Sequence, residues 1–146
     1  MARRKGFTLV ELVVVIMILG ILAAVAFPKL ASTTGSATDN GIRQTLGVIR
    51  DAIEMYAAHN AGKLPGSDGN ETTFKNDLKP YLRGEFPKCP VGAKNDRVKM
   101  SSSDTPITGD AAPTEGWHFN YKAGMGEFIV NYSGLSNDGT TRYDQF

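Results

Sequence analysis

Few residues in this chain of 146 amino acids are of the types that carry out chemistry. One cysteine, Cys89, excludes an internal disulfide, a CxxC redox pair and a cysteine-rich zinc site. The two histidines, His59 and His118, have no partners at the spacing of a metal site or a catalytic triad. No phosphate-binding loop, nucleophile elbow or zinc-binding helix motif occurs. We therefore expect no catalytic residues and predict that the protein is not an enzyme.

One acidic residue, Glu11, stands in an unusual place. It lies within an apolar run from Phe7 to Phe27, about 21 residues that would span roughly 31 Å as a helix, enough to cross a bilayer core. A carboxylate inside such a span costs about 2.5–3.5 kcal/mol on insertion scales, so we expect it to have a functional partner. Because Arg3, Arg4 and Lys5 precede the run, its basic end should stay in the cytoplasm and the rest should be exported.

Two ordinary explanations of the apolar run compete with a functional one. A cleaved secretory signal has an apolar region of 7–15 residues, and this run is longer, although Ala24-Val-Ala26 would be a passable cleavage site. A plain signal anchor accounts for the length but not for Glu11.

The segment Lys5-Gly-Phe-Thr-Leu-Val-Glu-Leu12 resembles the class III signal of type IV pilins and pseudopilins. The resemblance implies that a prepilin peptidase cleaves between Gly6 and Phe7 and that Phe7 is then N-methylated. It also implies that Glu11 pairs with the terminal amine of the adjacent subunit in a filament. The expected organisation is a leader peptide (1–6), a hydrophobic membrane and filament-core helix (7–30) and a globular domain (31–146).

The pattern after the apolar run predicts a second helical part. Pro28 should kink the helix, and residues 31–36 are poor helix formers that predict a linker or a loosened segment. An apolar face then recurs at helical spacing and ends before Gly62 and Pro65; it consists of Ile42, Leu46, Ile49, Ile53 and Tyr56.

Alternating aromatic residues predict strands in the second half of the chain. Residues 117–121 and 128–132 form a β-hairpin in this interpretation, with His118 facing outward. A short helix capped by Asp77 should precede it, and residues 93–116 should form an exposed loop with one short strand near residues 97–100. The predicted fold class is α+β and pilin-like: a long N-terminal hydrophobic helix with its C-terminal half packed on a small antiparallel β-sheet.

Residues 42–65, and the hairpin followed by the segment Leu135-Ser-Asn-Asp-Gly139, resemble the major, G-type pseudopilin of type II secretion. That resemblance implies a calcium site formed by the side chains of Asp138 and Asp144 and the carbonyl of Leu135, and oxygen ligands suit calcium. The chain departs from the pattern, because Cys89-Pro-Val-Gly92 stands where an Asp-Pro-Trp-Gly run is frequent. A solvated turn without metal is the alternative.

These features together favour a structural subunit of a helical filament rooted in the bacterial inner membrane. The first expectation is the pseudopilus of a type II secretion system; the alternatives are a type IV pilin for adhesion, motility or DNA uptake, and a membrane-anchored binding module that does not polymerise. Expected partners are further copies of the chain, minor pseudopilins or pilins, the prepilin peptidase, the inner-membrane assembly platform and, before assembly, lipid. We expect a single membrane pass with the C-terminal domain in the periplasm, and a net charge of +1 argues against nucleic acid as a partner.

Overall fold

The computed structural model describes residues 6–146, without the side chains of residues 31 and 32. The basic residues Arg3, Arg4 and Lys5 of the expected leader lie outside the described residues. The elements are α1 (Leu9–His59), α2 (Glu71–Leu78), β1 (Val98–Ser101), β2 (Trp117–Asn120) and β3 (Phe128–Val130), with short 3₁₀ turns at Lys79–Tyr81 and Tyr143–Gln145.

The helix α1 runs for 51 residues without interruption, with Pro28 inside it. The linker expected at residues 31–36 is therefore wrong, since this segment is helical. Its threonines stay compatible with a helix because Thr33 and Thr34 donate their hydroxyls to backbone carbonyls one turn earlier. The predicted end is confirmed: α1 stops at His59, and the Gly62 amide, at a φ of 81°, bonds back to Ala57.

The short helix predicted to begin at an Asp77 cap is wrong in its bounds. The helix α2 begins after Asn70, whose side chain accepts from the amides of Thr72 and Thr73. Asparagine caps a helix as well as aspartate does, and it occurs seven residues earlier. Asp77 instead accepts a hydrogen bond from the Gly66 amide.

The sheet is mixed rather than purely antiparallel. β2 and β3 form the predicted antiparallel hairpin, whereas β1 pairs with β2 in parallel, with Val98 opposite Trp117. A parallel pair needs a long connection, and here residues 102–116, the crossing loop, provide it. The strand expected near residues 97–100 is confirmed as β1.

The crossing loop covers the outer face of the sheet. Ser103 exchanges two hydrogen bonds with the Asn120 side chain, and the amides of Ile107 and Asp110 donate to Glu127 and Asn131. Both faces of β2 and β3 are consequently buried. His118 faces outward from the core as predicted, but it is not solvent-exposed: the crossing loop covers it, and it is only 5% exposed.

The core lies between the second half of α1, the helix α2 and the inner face of the sheet. The apolar face predicted on α1 is confirmed as part of this core, and it packs with residues of α2 and the hairpin, many of them aromatic. The fully buried large side chains of this core include Ile42, Leu46, Ile49, Phe74, Leu78, Trp117, Phe119, Phe128 and Val130. The first half of α1 takes no part in it.

Candidate processing and assembly site

The bond between Gly6 and Phe7 lies in a short non-helical segment before α1. Gly6 is exposed, the Phe7 side chain is 77% exposed, and the helix begins only at Leu9. The backbone of this segment is not held in the hydrogen bonds of α1, so it can adopt an extended form in a peptidase site. The geometry is compatible with cleavage at this bond.

Glu11 lies in the first turn of α1 and forms a capping box with Thr8. Its Oε2 accepts hydrogen bonds from the Thr8 amide at 2.8 Å and from the Thr8 hydroxyl at 2.6 Å, while the Glu11 amide donates to Thr8 Oγ1 at 3.2 Å. The carboxylate is therefore turned back toward the start of the helix, and its partner Thr8 directly follows Phe7, the residue whose amine cleavage would create. A carboxylate in this position can accept a further hydrogen bond from an ammonium group.

The first half of α1 is a fully exposed apolar cylinder. Its large hydrophobic side chains, from Leu9 to Leu30, are 40–77% exposed. Among the described residues, α1 alone is long and apolar enough to cross a membrane. So much apolar surface is unstable in water and requires lipid or other protein chains to cover it. Whether Pro28, within this stretch, kinks the helix stays a prediction.

The three residues expected to bind calcium do not fit a metal site. Asp138 Oδ1 is the acceptor for four donors, from the Ser136 hydroxyl, the amide and hydroxyl of Thr140, and the Thr141 amide, at 2.7–3.2 Å. These bonds, that of Ser136 first, hold the pKa of Asp138 below its ordinary value.

The other carboxylate, Asp144, is paired with Arg142. The hydrogen-bond donors of Asp144 and those of Asp138 are different groups. Among residues 6–146, no group of three or more His, Cys, Asp or Glu side chains is gathered that could hold a metal ion. Leu135 lies in an isolated antiparallel bridge with Arg142. The segment thus satisfies its carboxylates with its own donors, and we derive no function through calcium.

A cluster that sequence reasoning missed joins the terminal loop, residues 134–146, to α1; its members Asp39 and Tyr143 are buried, whereas Asn137 is exposed. Asp39, 4% exposed, accepts from the Asn137 amide at 3.0 Å, from Asn137 Nδ2 at 2.7 Å and from the Tyr143 hydroxyl at 2.9 Å. We call these three residues the helix–loop clamp. Asn137 also approaches Gly35 so closely that a Cβ there would lie 2.8 Å from the Asn137 Cβ. One signal in the sequence could have revealed the helix–loop clamp: Asp39 lies three residues before Ile42 and thus continues the buried face of α1.

The remaining reactive side chains are held in structural contacts. Cys89 is 1% exposed, and burial raises the pKa of its thiol to about 11, which keeps it unreactive. His59 Nδ1 contacts the Tyr81 hydroxyl. His118 lies between the Thr108 carbonyl and the Ser101 hydroxyl, and burial lowers its pKa.

Comparison with known proteins finds relatives for the N-terminal segment and for much of the rest of the chain. Residues 1–27 match the family described as the prokaryotic N-terminal methylation motif. The chain is 30% identical to the type II secretion system core protein G of Vibrio cholerae over 112 residues, which cover 71% of this chain and 75% of that protein. It is 33% identical to the competence protein ComGC of Halalkalibacterium halodurans, over 62% of this chain and 81% of that protein.

A pilus protein is also among the relatives. The type IV narrow pilus major component PilA5 of Thermus thermophilus is 44% identical over 66 residues, which cover 45% of this chain and 56% of that protein. For this and three other curated relatives the chain spans about half of the relative's length, between 43% and 58%. No solved structure matches the chain.

Proposed function

Because the chain belongs to the type IV pilin and pseudopilin family and is a pilin-like filament subunit, we propose that its filament is the pseudopilus of a type II protein secretion system. The observation that carries this proposal is the similarity to the Vibrio cholerae secretion protein, which extends over 71% of this chain and therefore well into the globular domain. Three further core protein G relatives support the proposal, whereas PilA5 matches 45% of this chain and a fimbrial protein of Neisseria meningitidis, 38% identical, matches 69%. The family's members are structural subunits, in keeping with the absence of catalytic motifs from the sequence.

The proposed pathway begins with a membrane-anchored precursor. The apolar half of α1 spans the inner membrane, and the globular domain from residue 31 onward lies in the periplasm. The prepilin peptidase cleaves between Gly6 and Phe7, and Phe7 is methylated. The exposed, non-helical position of this bond supports that step.

Assembly then replaces lipid by protein around the apolar helix. The exposed side chains of residues 9–30 pack against the same segments of other copies in a head-to-tail filament. Glu11 accepts the terminal ammonium of the adjacent subunit, a pairing that makes a charge tolerable inside an apolar bundle. Its orientation toward the start of α1, imposed by Thr8, supports this role. The inner-membrane platform and minor pseudopilins would be the further partners.

A surface pilus is the second candidate, favoured by the relatives PilA5 and ComGC. Deletion of the gene in its source bacterium, with complementation by the wild-type chain and by Glu11→Ala, separates the two. If the chain is a pseudopilus subunit, its deletion is expected to leave exported proteins trapped in the periplasm, while surface fibres seen by electron microscopy stay normal. Normal secretion together with a loss of surface fibres, twitching or DNA uptake would assign the chain to a pilus instead.

A further inference from the structure

The terminal loop contains a buried carboxylate whose charge is matched within the chain. The Asp144 side chain is 3% exposed. It accepts hydrogen bonds from Arg142 Nε at 3.0 Å on Oδ1 and from Arg142 Nη2 at 2.6 Å on Oδ2, a two-pronged pairing in which the planar guanidinium matches the carboxylate. Oδ2 also accepts from the Gly109 amide at 2.9 Å, so Asp144 joins the terminal loop to the crossing loop. A carboxylate removed from water requires such a cation.

The backbone around the Arg142–Asp144 pair is held by hydrogen bonds within the terminal loop. Leu135 and Arg142 form an antiparallel bridge, flanked by hydrogen bonds from the Ser136 amide to the Thr141 carbonyl and from the Tyr143 amide to the Gly134 carbonyl. The Asp138 carboxylate caps the turn between the two sides of the bridge through its four donors. The terminal loop therefore forms a small hairpin with its own turn.

A divalent cation has no place in this arrangement. Calcium takes six to eight oxygen ligands, including carboxylates that point at the ion. Here both oxygens of Asp144 face the Arg142 guanidinium, and Asp138 Oδ1 faces four hydrogen-bond donors. A calcium ion at Asp144 would have to displace Arg142, and the two cations would repel each other.

We propose that the Arg142 guanidinium fills the structural role of a divalent cation in the terminal loop, so that this loop closes without calcium. Arg142 is a positioning residue: it neutralises Asp144, which in turn holds the crossing loop through Gly109. The inference holds for either filament type.

Thermal unfolding of the full chain in detergent micelles tests this inference. Trp117 is the chain's only tryptophan and is fully buried, so its fluorescence follows the globular core and not the apolar helix. The wild-type melting temperature is expected to be the same in chelator and in millimolar calcium. Arg142→Met is expected to lower it by about 5 °C or more, because it leaves Asp144 buried and unpaired. The matched control Arg83→Met removes an exposed arginine and is expected to change little.

Two further variants test whether the charge pairing between Arg142 and Asp144 is the cause of the stabilisation. Arg142→Lys keeps the charge but loses the two-pronged geometry, so its melting temperature should fall between those of the wild type and Arg142→Met. The double variant Arg142→Met with Asp144→Asn should melt above Arg142→Met alone, because the uncompensated charge is removed. A rise of several degrees when calcium is added to the wild type would overturn the proposal. So would an Arg142→Met variant that melts with the Arg83→Met control, or a double variant less stable than Arg142→Met.

Discussion

Replacing Asp39 by asparagine should destabilise the globular domain strongly, although the two side chains have nearly the same shape. The Asp39 carboxylate accepts three hydrogen bonds, two from Asn137 and one from Tyr143, at 2.7–3.0 Å. An asparagine has one acceptor oxygen, and its amino group would face a donor of Asn137. Hydrogen bonds to a charged acceptor contribute about 1.5–3 kcal/mol each, so the loss of one and the weakening of two others should cost about 2–4 kcal/mol.

A loss of this size is measurable by unfolding in urea or by heat. Since domains of about 100 residues lose roughly 4–8 °C per kcal/mol, Asp39→Asn should lower the melting temperature by about 10 °C or more, followed by Trp117 fluorescence. Tyr143→Phe removes a single donor and should have a smaller effect in the same direction. Asp51→Asn is the matched control, because Asp51 is an exposed acid on the same helix and surface changes of this kind stay within about 0.5 kcal/mol. Equal unfolding curves for Asp39→Asn and Asp51→Asn would refute the clamp.

Three other predictions concern processing, assembly and pH. Mass spectrometry of the mature chain should find Phe7 at the terminus and methylated; an intact N-terminus, or one near residue 27, would contradict cleavage after Gly6. Glu11→Ala should insert and be cleaved normally but form no filaments, because it leaves a buried terminal amine unpaired at a cost of about 3–5 kcal/mol; filaments at wild-type levels under the electron microscope would exclude the charge pair. The lowered pKa of His118 means that the unfolded chain binds a proton first as the pH falls below about 6.5, so the free energy of unfolding should decrease from pH 7 to pH 5. His118→Gln should flatten that slope in urea titrations, and an unchanged slope would show that other groups cause it.

The sequence predicted best what depends on local periodicity. Periodicity alone predicts the helix that carries the apolar face from Ile42 to Tyr56 and the aromatic hairpin at 117–130. Each of these elements has an apolar face that must be buried, and the other element can bury it. The family resemblance of the N-terminal segment could also be recognised from the sequence, because a glycine–phenylalanine junction, an acid at Glu11 and a long apolar run are unusual together. The assignment of the chain to its family followed from these residues.

What the sequence did not reveal depends on contacts between distant residues. The parallel pairing of β1 with β2 requires the crossing loop to lie on the sheet, and polar residues such as Ser103 and Asp110 give no periodic sign that they are held there. The burial of His118 follows from the same loop. Asp39 was missed because an acid is normally exposed on a helix, although its spacing from Ile42 placed it on the buried face.

The helix–loop clamp also has a consequence for the order in which the chain folds. Asp39 is separated from its partners by 98 and 104 positions, so a ribosome adds the partners about a hundred residues after Asp39. Contacts this distant along the chain are closed late, after loop-closure entropy has been overcome. Until Asn137 and Tyr143 have been synthesised and lie on the same side of the membrane as Asp39, these hydrogen bonds cannot form. The clamp can therefore form only after Tyr143 has been added, so it contributes nothing to the stability of shorter nascent chains.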